Sequence, residues 1–109
     1  MFRIVVQDVF SISGAGTVFT GRVEEGPIAI GDPLLVQTPS RKVRTSVDGL
    51  ESFRKLLPVA EVGQEVGVLC RRIPPETLAD CYIGEGENRR PNGIVLVSAP
   101  KRWWEFWRE

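Results

Sequence analysis

The 109-residue sequence contains no histidine and only two cysteines, Cys70 and Cys81. Without histidine, Ser–His and Cys–His nucleophile pairs are excluded. Two cysteines with no histidine and no third thiol do not make a zinc pattern, so no metal is expected. Their separation permits a disulfide, but two reduced thiols, buried or half-buried, fit the composition better. No GxxxxGK[ST] segment occurs, which removes the usual backbone cradle for nucleotide phosphates. Neighbouring carboxylates such as Glu24 and Glu25 fall on opposite faces of a strand and cannot act jointly on one bond. No catalytic residue and no cofactor are therefore assigned, and an enzyme is not expected.

Charge of one sign is also missing. Lys plus Arg total 14, as do Asp plus Glu, so no global field draws the chain to nucleic acid or anionic lipid. Any such contact must be local. Long apolar runs are absent, and no segment approaches the length that spans a membrane. The opening "MFRIVVQDVF" has no small-residue cleavage site and reads as a first strand, not a leader. The expected location is cytoplasmic.

What is present is a strand pattern. Hydrophobic residues make up 42% and charged residues 26% of the chain, ordinary for one globular domain. A domain of this length buries roughly 60–70% of its unfolded surface. Phe2 to Ile12 and Thr17 to Val23 are β-rich runs separated by Gly14, Ala15 and Gly16, where glycine allows the positive φ of a tight hairpin. Short extended pieces follow at Ile28–Ile30 and Leu34–Val36, cut by Gly-Pro and Gly-Asp-Pro. "KVRTSVDGL" (Lys42 to Leu50), Val66 to Cys70 and "IVLVS" complete six or seven strands. Phe53, Leu56 and Leu57 suggest one helical turn ended by Pro58. "PPETLAD" suggests another, started by its prolines. The pattern fits an all-β, closed or nearly closed antiparallel barrel over residues 1–98. Residues 99–109 are a separate, Trp-rich tail.

Three ordered motifs carry a family resemblance. "DVFSISGAGTVFTGRVEEGPIAIGD", "GLESFRKLL" and "AEVGQEVGVLCR" together resemble the second domain of translational GTPases, most closely that of elongation factor Tu. The resemblance is good over about Phe2 to Arg72 and looser to about Ser98. It implies a six-stranded antiparallel closed β-barrel, here standing alone without the GTPase domain, the third barrel or GTP. In elongation factor Tu this barrel holds the aminoacylated 3′ end of transfer RNA. Carried over, that pocket is Phe10, Ile12, Gly14 and Val18 from the hairpin, Glu51 and Arg54 from "ESFRK", and Leu69 from "VGVLC". Apolar side chains can sandwich a base, Gly14 admits a close backbone approach, and Glu51 can accept from a ribose hydroxyl or an amine. Arg54 can pair with a phosphate or with Glu51. Glu65 stands where the family has a small amide, and its charge disfavours a phosphate. A basic loop at Arg41, Lys42 and Arg44 could offset it. The family's Arg-Gly is Arg71-Arg72 here, and its short closing hairpin is lengthened.

Alternatives remain at several residues. Phe10 and Ile12 share parity with Ile4 and Val6, which makes them core by periodicity. They face a ligand only if the strand bends, near Gly14. Gly14, Gly16 and Gly21 also suit turn and twist alone. Leu56 and Leu57 are expected to cap the barrel, and a Glu51–Arg54 pair at the surface adds little. In the tail, Trp103, Trp104, Phe106 and Trp107 fall among basic and acidic residues. They either cover an exposed barrel face, form an interface with a copy or another protein, or lie at a membrane surface. The leading expectation is a non-catalytic binding module that takes a protein partner or an RNA 3′ end on the hairpin face. The alternatives are binding of an aminoacyl-tRNA 3′ end or other single-stranded RNA, and a structural subunit that self-associates through the tail.

Overall fold

The computed structural model describes residues 1–73, 78, 81–84 and 90–99. The described chain is all-β. Its strands are β1 (Arg3–Ile12), β2 (Gly16–Glu25), β3 (Ile28–Ala29), β4 (Pro33–Gln37), β5 (Lys42–Ser46) and β6 (Gly49–Ser52). They continue with β7 (Lys55–Leu56), β8 (Val59–Ala60), β9 (Glu65–Cys70), β10 (Tyr82–Ile83), β11 (Arg90–Pro91) and β12 (Val95–Ser98). Eight strands form one sheet in the order β5-β4-β12-β1-β2-β9-β6-β7, and the pairs β3–β8 and β10–β11 form small ladders of their own.

The sheet curls but does not close, which corrects the expected six-stranded closed barrel. Among the described residues no ladder joins its edges, β5 and β7. The cause lies at one corner. The chain passes from β5 to β6 through Val47 and Asp48, so the run from Lys42 to Leu50 is two strands and not one. There the Val47 amide donates to the Asp32 carbonyl (3.0 Å), and the Asp48 amide donates to the Leu69 carbonyl (2.9 Å). The corner is held by single hydrogen bonds instead of a ladder. The extra strands are two-residue pieces, too short to show an alternation.

The "ESFRKLL" stretch is also not helical. It is a tight β6–β7 hairpin, in which Glu51 faces Leu56 and Ser52 faces Lys55. "PPETLAD" falls mostly outside the described residues.

The core collects the inward faces of the curled sheet. Ile4, Phe19, Leu34, Val36, Leu50, Val68 and Leu96 are buried in one cluster, with Ile28 and Ala60 of the small β3–β8 ladder beneath them. Burying a side chain such as Phe19 stabilises by about 1.5–3 kcal/mol. Cys70 and Cys81 are both buried and are not joined in a disulfide.

One irregularity decides which residues join this core. In the β1–β2 ladder Val6 faces Gly21, but Asp8 faces Thr20, so Gln7 is an extra residue on β1. An inserted residue reverses the in-out alternation of everything beyond it. Before the bulge Ile4 and Val6 point inward. After it Val9 packs against the core, while Phe10 and Ile12 are exposed. Gly21 allows the strands to approach here: a Cβ on it would lie 2.4 Å from the Val5 carbonyl oxygen.

Candidate functional site

The reversal after Gln7 creates an outward face on the β1, β2, β9, β6 and β7 part of the sheet. The register sets Phe10, Val18, Leu69 and Gly49 in one row across four strands. The next row is Thr20, Gly67, Glu51 and Leu56. Behind the first row, facing inward, lies the row Val9, Phe19, Val68 and Leu50. The same strands thus carry a closed core on one side and an open apolar surface on the other.

That surface holds two adjoining hollows. The larger, about 340 Å³, has walls of Phe10, Val18 and Phe53 and a rim bearing Glu51 and Glu65. The smaller, about 140 Å³, is lined by Ile12, Ala15, Leu56 and Leu69. Val18, Glu51 and Gly67 line both. Gly67 is the bare floor between them: a Cβ there would sit 3.2 Å from Val18 Cγ1. Ser52, also in the larger hollow, is anchored by its hydroxyl, which donates to the Glu65 carbonyl at 2.6 Å.

The β6–β7 turn raises the far wall. Phe53 and Arg54 have φ of 50° and 66°, the left-handed pair of a two-residue hairpin turn. Neither is glycine, so each costs of order 1 kcal/mol. The turn holds Phe53 88% exposed and Leu56 84% exposed. Leu56 therefore does not cap the core, contrary to expectation; Leu57 packs against it.

Of the residues carried over from the family, Phe10, Ile12, Val18, Glu51 and Leu69 line the hollows. Gly14 and Arg54 do not. Gly14 has φ of 79° in the β1–β2 turn, closed by the Ala15 amide donating to the Ile12 carbonyl at 3.0 Å. The strand bends out at Gln7, well before Gly14. Arg54 makes no ion pair with Glu51, whereas Arg3 and Glu24 do pair. Lys42 and Arg44 are on β5, at the opposite edge of the sheet order. Trp103, Trp104, Phe106 and Trp107 lie outside the described residues.

Thr20, Phe53, Leu56 and Gly67 were not assigned to the site from sequence. The signal was available for two of them: Thr20 shares parity with Val18, and Gly67 with Leu69. Phe53 had none, because its exposure depends on the left-handed turn.

Electrostatically the site is acidic at its rim. Among the described residues no lysine or arginine lines either hollow. Chemically the surface can take a flat apolar group and accept hydrogen bonds from its edge. Among the described residues no three His, Cys, Asp or Glu are grouped to hold a metal. Cys70, on the inward side of β9, is pushed up from the ordinary 9.0 to about 12 by burial and then by the charge of Asp48. It is a structural thiol, not a nucleophile.

A family model described as elongation factor Tu domain 2 matches residues 16–82. The chain belongs to the elongation factor Tu domain 2 family. The match spans β2 through β9 and so includes every wall of the site except the one built by β1. As an elongation factor Tu domain 2-like module, the chain carries the β fold of a domain that is non-catalytic in translation factors. No helix among the described residues is long and apolar enough to cross a membrane.

Proposed function

We propose that this chain is a non-catalytic binding module, related to translation through its family, whose ligand docks on the hairpin face formed by Phe10, Ile12, Val18, Leu69 and Leu56. The observation that carries this is the burial reversal at Gln7, which leaves Phe10 51% exposed at the edge of a hollow instead of in the core. The ligand is a protein partner. An apolar face edged by Glu51 and Glu65, with no lysine or arginine lining it, suits aromatic side chains flanked by cationic ones.

A second reading is favoured by the size of the larger hollow. In that reading a terminal nucleoside of RNA rests on Phe10 and Val18, with Glu51 accepting from its ribose or amine. The two readings respond with opposite sign to one change. Glu65→Lys, at the rim, weakens binding of a cationic aromatic peptide severalfold if the partner is protein. The same change strengthens binding of short CCA-ended RNA, and steepens its salt dependence, if the ligand is RNA. Isothermal titration with both probes decides. If neither probe binds the parent chain, the binding role is wrong.

A further inference from the structure

The polar side chains around the larger hollow offer acceptors and no donor. They are Thr20, Glu51, Ser52 and Glu65. The Ser52 hydroxyl donates its proton to the Glu65 carbonyl at 2.6 Å, and the Thr20 hydroxyl points its own at the Asp8 carbonyl at 3.4 Å. A hydroxyl whose proton is committed presents only lone pairs to a ligand. Among the described residues neither Glu51 nor Glu65 has an ion-pair partner. Arg22 faces Glu65 across the β2–β9 ladder, but its guanidinium lies beside Gly63, 4.0 Å from where a Cβ there would sit. The two carboxylates are left to whatever enters the hollow.

The walls add a second requirement. Phe10 and Phe53 are exposed aromatic rings at the same hollow. The matching group carries positive charge, several donors, no acceptor and a flat face. A guanidinium has all four: its five N–H donors lie in one plane, and it stacks on aromatic rings while its edge donates to carboxylates. An ammonium supplies the charge but has no face to stack. A nucleobase stacks, but its ring nitrogens and phosphate need donors that these side chains do not supply. We infer that the larger hollow seats an arginine side chain of a protein partner, its plane on the aromatic walls and its N–H groups on Glu51 and Glu65. The smaller hollow shares Glu51 and is lined by Ile12, Leu56 and Leu69; it takes an apolar residue beside that arginine. This rests on the protein-partner reading above and assigns the cation, not the apolar residue, to the larger hollow.

Three capped tripeptides test the inference, acetyl-Leu-Xaa-Leu-amide with arginine, lysine or citrulline at the centre. Citrulline keeps the shape of arginine and removes its charge. Each is titrated to about 10 mM into the full-length chain, where even a weak contact registers, and backbone amide shifts are followed. The arginine peptide is expected to move the amides of Phe10, Thr20, Phe53 and Gly67 and to saturate. The lysine and citrulline peptides are expected to bind severalfold more weakly. In Glu51→Gln with Glu65→Gln, the preference for arginine over citrulline is expected to vanish. Should the thermal midpoint of that variant fall, Glu65→Gln alone replaces it. Phe53→Asn, which keeps a residue tolerant of the left-handed turn, is expected to remove the preference for arginine over lysine.

Several outcomes overturn the inference. One is equal binding of the arginine and citrulline peptides at the face: the face then binds proteins without reading a guanidinium, and only the seating of the arginine falls. Another is an arginine peptide that leaves those amides unmoved. The cationic aromatic peptide then separates the two levels, since the protein-partner reading stands if it binds and falls with the inference if it does not. Displacement of a bound arginine peptide by short CCA-ended RNA at lower concentration also overturns it, and makes a nucleoside the occupant of the hollow.

Discussion

Ile4 and Val6, on one side of Gln7, and Phe10 and Ile12, on the other, are the same kinds of residue at the same spacing on one strand. The first pair is buried and the second is exposed. Nothing in the side chains accounts for this. One extra backbone residue reverses the faces, and a strand that begins as core ends as exposed surface. The lesson is that hydrophobic parity is a local property, valid only between bulges. A protein can thus assign apolar residues to core and ligand without changing composition.

Phe19 and Phe10 allow that contrast to be broken. Phe19, fully buried, sits in the inward row next to Phe10's outward one. Phe19→Ala is expected to lose about 3–5 kcal/mol in urea denaturation, because it removes a packed ring and leaves a cavity. A loss under about 1 kcal/mol would mean the two rows are not distinct.

β9 offers a second, smaller test. Its inward Cys70 titrates near 12 in the folded chain, against an ordinary 9.0. Below pH 9 both folded and unfolded thiols are protonated, and the stabilisation is complete. Between 9 and about 12 the unfolded thiol has lost its proton and the folded one has not, so stability falls as pH rises. Cys70→Ala is expected to flatten that part of the stability profile relative to the parent chain. Superimposable slopes would place Cys70 in contact with water.

The sequence was most legible where chemistry is local. The hairpin glycines and the paired strands on either side of them follow from residue type and spacing. Most of the residues that line the hollows were reached by resemblance instead, because "ESFRKLL" and "EVGVLC" fall in family order around the hairpin. What was illegible is set by backbone registers. The Gln7 bulge has no composition signal of its own. The left-handed Phe53–Arg54 turn uses residues that rarely adopt it, so the same seven residues read as a helical turn. The open edge of the sheet depends on how Val47 and Asp48 turn a corner, which a strand-like alternation through that corner conceals.

The central claim, that the strand beyond Gln7 turns Phe10 outward and not into the core, is tested most directly by urea denaturation of Phe10→Asp, with Val6→Asp beside it. A carboxylate at an outward position keeps its water, so Phe10→Asp is expected to change stability by about 1 kcal/mol or less. Val6→Asp buries an unpaired charge and is expected to cost several-fold more. Equal, severe losses at both positions would return Phe10 to the core and contradict the account.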